Sequence, residues 1–184
     1  MGEIIYPNPV KLIFSVISSK EKYFEAAFNC LRSFFGKIEL MSPYQEFDFT
    51  DYYKQEMGGN LKQILISFDK LIKPERLAQI KIDSNQLEIS LSNLNKNTDS
   101  KKINRSINLD PGYITLSKFI LASTKNGPAR IYLDNGIYAE ITLRYIKKSF
   151  RAMQWTYRNY STDLYIDFLN KLREEYKKQL DNIR

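Results

Sequence analysis

The fold of this protein is decided by R-I-Y-L-D-N-G-I-Y-A-E-I-T-L-R-Y-I-K-K-S-F-R-A-M-Q-W, residues 130–155. β-branched and aromatic residues alternate with polar ones around Asn135-Gly136, which is typical of two strands joined by a tight turn. Loop length then fixes the register, because a slip of one residue sends every side chain to the opposite face. A two-residue turn mixes polar and apolar partners, whereas a three-residue loop at 134–136 sets Arg130 opposite Glu140. We therefore predict the three-residue loop.

The same reasoning applied to the next polar loop, residues 147–149, predicts a third strand. A three-residue loop there sets Ile146 opposite Phe150 and Ile141 opposite Trp155, so that the apolar face continues. The inward face of this meander would carry Ile131, Leu133, Ile137, Ala139, Ile141, Leu143, Tyr145, Met153 and Trp155. The other face would carry Arg130, Tyr132, Tyr138, Glu140, Thr142, Arg144 and Gln154.

The polar face of the meander is the predicted binding site. Tyrosines, arginines and a carboxylate on adjacent strands make a rigid platform rich in hydrogen-bond donors, and guanidinium groups suit phosphate or carboxylate. We expect Arg130, Arg144 and Tyr132 to converge on a gap that fits an anion. The alternative is an ordinary ion pair between Arg130 and Glu140 on a solvated face, worth at most about 1 kcal/mol.

Upstream of the meander, hydrophobic periodicity predicts strands at residues 11–17 and 61–71, with a helix between them that ends at Gly36. Pro74 is well placed in the first turn of another helix. Residues 74–94 fit either that helix or two strands. We favour the helix because the segment contains no glycine.

A C-terminal helix completes the predicted fold. Ser161 or Thr162 can cap it, and apolar residues continue at helical spacing to Leu180. The expected fold class is α+β, a single domain over residues 1–184 with a largely antiparallel sheet and a C-terminal three-strand meander. The N-terminal and C-terminal helices are expected to pack on one face of the sheet.

The composition excludes several classes of function. The chain contains no histidine, which rules out histidine-based catalysis and imidazole ligation of a metal within one chain. The single cysteine, Cys30, rules out an internal disulfide and fits the reducing cytoplasm. No apolar stretch approaches the length of a membrane span, so we expect a cytoplasmic protein without a membrane partner.

Positive charge is concentrated late in the chain. Residues 141–162 contain five basic residues and no acidic one, and the aromatic residues among them are compatible with RNA binding. The predicted register argues against RNA, because it places Tyr145 and Trp155 in the core. The longest polar run, residues 93–104, is predicted to be a loop.

Candidate catalytic residues are present without a catalytic signature. N-L-D-P-G-Y at residues 108–113 is first of all typical of a turn, because Asp-Pro-Gly combines capping with a fixed φ and tolerance of positive φ. The functional alternative makes Asp110 a general base or oxygen ligand, with Glu56 or Glu140 as a second carboxylate. S-T-K-N-G at residues 123–127 could form a phosphate-binding loop, although no P-loop pattern occurs.

Five sequence motifs follow one another along the chain: E-M-G (56–58), N-L-D-P-G-Y (108–113), L-A-S-T-K (121–125), R-I-Y-L-x-x-G-I-Y-A-E-I-T-L-x-Y (130–145) and W-T-Y (155–157). In this order and spacing they resemble the prokaryotic domain of unknown function four-four-one-six, over nearly the whole chain. The resemblance implies no established activity. On this resemblance, seventeen residues of the chain occupy motif positions of the family. They are Glu56, Met57, Gly58, Asn108, Asp110, Pro111, Gly112, Tyr113, Ser123, Thr124, Lys125, Arg130, Tyr132, Gly136, Tyr138, Glu140 and Thr142.

The chain departs from the pattern of that family at two places. Gly127-Pro128-Ala129 stands where a histidine tends to precede the motif arginine, and Arg158-Asn159 stands where Pro-Asp tends to follow W-T-Y. If that histidine is a base or metal ligand in relatives, this chain lacks the group or replaces it. The first departure therefore favours a binding role.

The leading functional hypothesis is a cytoplasmic protein that binds a small anionic ligand bearing phosphate or carboxylate, such as a nucleotide. Its expected ligand-binding residues are Arg130, Tyr132, Tyr138, Glu140, Thr142, Arg144, Asp110 and Lys125. The first alternative is an enzyme that uses Asp110, Glu56 or Glu140 with a divalent ion. The second is a nucleic-acid or protein adaptor that uses the basic hairpin at Lys147-Lys148. The sequence identifies no cofactor and no metal-ligand set, and enzyme activity stays open.

Overall fold

A computed structural model of the chain describes residues 2–93 and 105–183. The polar run predicted to be a loop lies outside these ranges except for Asn93. The strands are β1 (Val10–Ser18), β2 (Ile38–Met41), β3 (Gln45–Glu46), β4 (Lys62–Ile72), β5 (Ile107–Ile114), β6 (Lys118–Ser123), β7 (Arg130–Asp134), β8 (Ile137–Ile146) and β9 (Ser149–Ala152). The helices are α1 (Glu21–Phe35), α2 (Lys54–Met57), α3 (Leu77–Asn93) and α4 (Asp163–Asn182), with 3₁₀ turns at Pro74–Arg76 and Arg158–Ser161.

Within the described residues, the strands form one sheet in the order β2-β4-β1-β5-β6-β8-β7, and in addition β3 pairs with β4 and β9 with β8. All of these pairings are antiparallel. The predicted α+β class with a largely antiparallel sheet is therefore confirmed. None of the helices in the described ranges is both long enough and apolar enough to span a bilayer.

Helices cover both faces of the sheet. Leu12 and Phe14 of β1 belong to the core cluster that includes α1 and α3, whereas Ile13 belongs to the cluster that includes α4. Successive residues of a strand point to opposite faces, so the prediction that the first and last helices share one face is wrong. The physical reason is that most residues of β1 are apolar, and a strand without polar alternation must be covered on both sides.

The segment that begins at Pro74 is a helix, as the sequence favours. Pro74 opens a 3₁₀ turn that continues as α3, which runs unbroken to Asn93. Leu77, Ile80 and Leu91 are buried at helical spacing. The alternative of two strands is therefore excluded over the described part of this segment.

The β7–β8 hairpin has the predicted register but a different turn. Arg130 lies opposite Glu140, as predicted. The turn consists of Asn135-Gly136 alone, with both residues at positive φ. A bulge near the end of β7 takes up the extra residue and restores the predicted pairing for the rest of the strand.

The β8–β9 hairpin differs from the predicted register by one residue. Its turn is Lys147-Lys148, with both residues at positive φ, so Phe150 pairs with Tyr145. Trp155 follows the end of β9 and is 42% exposed. The predicted inward positions of Trp155 and Met153 are therefore wrong, because the shorter turn shifts every pair and the strand stops before reaching them.

The residues predicted to form one inward face of the meander do not share one buried face in the structure. Ile131 is 69% exposed and Leu133 is 39% exposed, because β7 forms the edge of the sheet. In β8, a bulge at Thr142 opposite β6 exchanges the two faces. As a result, Ile137 packs in a cluster with α3, whereas Leu143 packs in the cluster with α4.

Candidate functional site

A cleft opens within the sheet between β5 and β6. These strands pair only from Gly112 to Ile114 of β5. Pro111 precedes this stretch and has no N–H to donate, so the ladder ends there. Beyond it, the end of β6 lines a cleft of about 760 Å³. Asp110, Pro111 and Gly112 therefore lie within a strand, and the prediction of a turn at residues 108–113 is wrong.

Side chains from α3 replace the missing strand partner of Leu109. The Leu109 N–H donates to Oε1 of Glu88 at 2.6 Å, and its carbonyl accepts from Nζ of Lys81 at 3.0 Å and from Oγ of Ser84 at 3.3 Å. Glu88 and Lys81 are only 4% and 5% exposed. Because buried backbone groups must find partners, these polar side chains hold β5 open at the cleft.

Asp110 connects this buried lysine to the floor of the cleft. Its Oδ1 accepts a hydrogen bond from Nζ of Lys81 at 2.7 Å, and its Oδ2 accepts one from Nδ2 of Asn108 at 2.7 Å. The Asp110 side chain is 25% exposed, so its carboxylate meets the cleft. The pair is charge-assisted and partly shielded from water, which makes it stronger than a surface pair.

Arg105 closes the network from the other side. Its Nη1 donates to Oδ1 of Asn108 at 2.9 Å and lies 3.3 Å from Oε2 of Glu88, while its Nη2 donates to Oε2 of Glu56 at 2.8 Å. The guanidinium carbon lies 5.4 Å from the centre of the Tyr53 ring. A single guanidinium thus joins α2, α3 and β5.

The environment moves the pKa values of the two cleft carboxylates in opposite directions. Burial raises the pKa of Glu88 to about 7, although the ammonium of Lys81 opposes the shift. Burial also acts to raise the pKa of Asp110, but Lys81 and the hydrogen bond from Asn108 outweigh it and hold that pKa below its ordinary value. A neutral carboxyl and an ionised one can therefore exist side by side near neutral pH.

Glu88 is expected to make stability depend on pH. Its pKa in the folded protein lies above the ordinary 4.5, so the native state keeps a proton that the unfolded chain releases between that value and about 7. The free energy of unfolding therefore falls as pH rises through this window, by at most about 1.4 kcal/mol per pH unit from one group. Urea unfolding of wild type and Glu88→Gln across the window should show the variant gaining relative stability with rising pH. A pH-independent difference between the two proteins would contradict this expectation.

A second charged group that lines the cleft is centred on Arg130. Nε of Arg130 donates to Oε2 of Glu140 at 3.0 Å, and Nη1 donates to Oγ of Ser123 at 2.9 Å and to the Lys125 carbonyl at 2.8 Å. The side chains of Arg130 and Glu140 are 12% and 9% exposed. Nζ of Lys125 lies 3.9 Å from the centre of the Tyr52 ring. The ion pair expected at the surface is therefore largely buried and positions the loop after β6.

Aromatic rings form much of the remaining wall of the cleft. Phe47 packs edge-on against Phe49 and Tyr53, with ring centres 5.9 and 5.6 Å apart, and Tyr157 and Tyr160 also line the cleft. Burial raises the pKa of Tyr53 and of Tyr160, and the charge of Asp110 adds to both shifts. Their hydroxyls therefore stay protonated and can donate hydrogen bonds.

The charge balance of the cleft is positive. Its lining includes the five cations Lys81, Arg105, Lys125, Arg130 and Arg158 and the three carboxylates Glu88, Asp110 and Glu140. Among the described residues, neither Lys125 nor Arg158 forms an ion pair. Protonation of Glu88 increases the positive excess further. Anions are therefore favoured over cations in this space.

The structure brings together only part of the predicted site. The residues of the predicted site that line the cleft are Asp110, Lys125, Arg130 and Glu140. Glu56 does not line it but forms an ion pair with Arg105, which does. Tyr132, Tyr138, Thr142 and Arg144 do not line it. Arg144 lies opposite Lys118 and Arg151, and Tyr132 is 57% exposed. The expected convergence of Arg130, Arg144 and Tyr132 on one gap is therefore not observed. The bulge at Thr142 of β8 turns Arg144 to the opposite face, and Tyr132 lies outside the cleft on the edge strand β7.

Sequence reasoning misses Lys81, Glu88 and Arg105. On α3, Lys81, Ser84, Glu88 and Ser92 follow one another at spacings of three or four residues, and all four are buried. This polar stripe is the available signal, since it repeats with the helical period beside the apolar stripe. A polar stripe on a helix normally faces water, which is why it does not by itself predict a site.

The described residues contain no group of three or more His, Cys, Asp or Glu side chains arranged to hold a metal ion. A family model described as Domain of unknown function (DUF4416) matches residues 8–176. No curated protein and no solved structure matches the chain.

Proposed function

The chain belongs to the DUF4416 family, and from the geometry of the cleft we propose that it binds a small anionic ligand with a flat or apolar body. The observation that carries this proposal is the cationic excess of the lining, five side chains against three carboxylates. Phosphate or carboxylate groups would meet the guanidinium and ammonium groups, and the tyrosine and phenylalanine rings would contact the body of the ligand. A nucleotide or a phosphorylated metabolite has both parts.

Three features support a ligand rather than a purely structural cleft. Its volume of about 760 Å³ lies within the range of small-molecule sites. Lys125 and Arg158 lack carboxylate partners among the described residues, so an anion would not have to displace an existing ion pair. Arg130 is held by Glu140 and Ser123, which orients its guanidinium before a ligand arrives.

The single cysteine is compatible with a prokaryotic cytoplasm, the location that we propose.

A thermal-shift screen tests the proposal directly. Inorganic phosphate, pyrophosphate, nucleoside phosphates and sugar phosphates are compared, because a ligand of the native state present at about 100 times its Kd adds about 2.7 kcal/mol of stability. We expect at least one of them to raise the melting temperature. Calorimetric titration of the best ligand should then show an affinity about tenfold or more weaker for Lys125→Ala/Arg158→Ala, since charge-assisted hydrogen bonds are lost.

The matched control is Lys70→Ala/Lys73→Ala, which removes two exposed cations away from the cleft. Its affinity for the same ligand should equal that of wild type. If no anion raises the melting temperature, or if both double variants bind equally well, the anion-binding proposal is wrong.

A carboxylate-dependent enzyme acting in the same cleft is the second candidate. The observation that favours it is the separation of the pKa values of Glu88 and Asp110, which is common where one carboxyl acts as acid and another as base. Phosphorus NMR of the best phosphorylated ligand incubated with the protein would detect turnover. A spectrum that shows binding but no new phosphorus species would leave the protein a binder.

A further inference from the structure

A row of cations crosses three neighbouring strands outside the cleft. Lys118 of β6 lies opposite Arg144 of β8, and Arg144 lies opposite Arg151 of β9. Residues opposite each other in a ladder point to the same face, and strands lie about 4.8 Å apart, so the row spans roughly 10 Å. Arg144 and Arg151 are exposed. Like charges placed directly opposite destabilise a sheet, so packing alone does not account for the row.

The turn beside this row adds two more cations in an unfavourable backbone conformation. Lys147 and Lys148 have φ values of 51° and 64°, a region in which two-residue hairpin turns prefer Asn and Gly. The β7–β8 turn of the same protein has Asn135-Gly136 at φ 49° and 77°. The lysines therefore occupy positions where the backbone favours other residues.

Nothing in the described part of the chain neutralises these five cations. None of them takes part in an ion pair, and residues 141–162 contain no acidic residue. Two local rules of stability, on cross-strand charge and on turn residues, are broken at one place. Such local conflicts are expected at functional sites, and the missing counter-charge points to an anionic partner.

An exposed aromatic ring lies against β8, the strand that carries Arg144. Trp155 is 42% exposed, and its Nε1 donates to the Ile141 carbonyl of β8 at 2.9 Å. This hydrogen bond fixes the indole against β8 before any partner binds. A nucleobase can stack on such a ring, whereas an acidic peptide lacks the flat surface that would use it.

We propose that this basic hairpin surface, formed by Lys118, Arg144, Lys147, Lys148, Arg151 and Trp155, binds single-stranded nucleic acid. The cations contact successive phosphates and Trp155 stacks on a base. None of the six residues lines the cleft, so this surface is independent of the small-ligand site.

Fluorescence titration with an oligo-uridine RNA tests the surface, because Trp155 is the only tryptophan. We expect RNA to quench the emission and the affinity to fall as salt is raised. The informative variant is Lys147→Asn/Lys148→Gly, which installs the turn residues of the other hairpin and should fold at least as well as wild type. Its affinity should be about tenfold weaker, and its salt slope shallower by about 0.7 for each lost phosphate contact.

The control is Lys70→Gln/Lys73→Gln, which changes net charge equally at exposed positions away from the hairpin. It should bind the RNA as wild type does. Equal weakening in both variants, absence of quenching, or equally tight binding of polyglutamate or of anionic lipid vesicles would each overturn the proposal. The first of these would show a net-charge effect, the second no stacking, and the last a surface for any polyanion.

Discussion

Replacing Gly112 by alanine is expected to destabilise the protein by about 3 kcal/mol or more, because the added methyl group has no space. A Cβ at this position would lie 2.2 Å from the Ile120 carbonyl oxygen and 2.9 Å from a methyl carbon of Leu121. The nearer atom is backbone of β6, which cannot move aside without breaking the short β5–β6 ladder. For a chain of this length the loss corresponds to roughly 6 to 12 °C in melting temperature, measurable by calorimetry.

The control for this change is Gly59→Ala. No atom lies within 4 Å of a Cβ built there, so its melting temperature should stay close to that of wild type. A Gly112→Ala protein as stable as the Gly59→Ala protein would show that β5 and β6 can separate freely. In that case the short β5–β6 ladder would not be what bounds the cleft.

The sequence predicts those parts of the fold that depend on local pattern. Alternation of polar and apolar residues determines the pairing of Arg130 with Glu140, and the structure has this pair. α1 ends where Gly36 follows it, at φ 89°, because a left-handed residue closes a helix and glycine adopts that conformation at low cost. In these regions each residue type prefers the backbone conformation that the fold requires of it.

The register of the β8–β9 hairpin cannot be predicted, because its turn residues do not have the backbone preference that the turn requires. Turn statistics disfavour two lysines at positive φ, so they favour a longer loop that places Trp155 in the core. The structure has the disfavoured turn. The error therefore lies where the chain departs from backbone preference, which is where the nucleic-acid surface is proposed.

The cleft cannot be predicted because it depends on long-range contacts. Leu109 lacks a strand partner on one side, and only the folded chain shows that Lys81 and Glu88 supply the missing hydrogen bonds. Asp-Pro-Gly is typical of turns, so the local pattern does not place it within β5. Pro111 is tolerated there because it lies where the ladder to β6 stops, and so no partner is left without its N–H.

Lys81→Met is expected to cost about 3 kcal/mol, the lower end of the range found when one partner of a buried ion pair is removed, because the Asp110 side chain is 25% exposed. Methionine keeps the apolar stem of the side chain but removes the ammonium group that pairs with Asp110. It also removes the hydrogen bond from Lys81 to the Leu109 carbonyl. The pKa of Asp110 should rise, since the main interaction that lowers it is lost. Denaturant unfolding gives the first quantity, and carboxyl NMR titration gives the second.

The exposed helical Lys177→Met is the matched control and should change stability little, since Lys177 has no ion pair among the described residues. The double variant Lys81→Met/Asp110→Asn separates charge from packing. If the loss comes from an unpaired, partly buried carboxylate, removing that charge as well should restore part of the stability, because replacing both partners costs less than replacing one. If the double variant is no more stable than Lys81→Met, the hydrogen bond from Lys81 to Leu109 holds β5 in place, and the ion pair contributes to the charge of the cleft rather than to its stability.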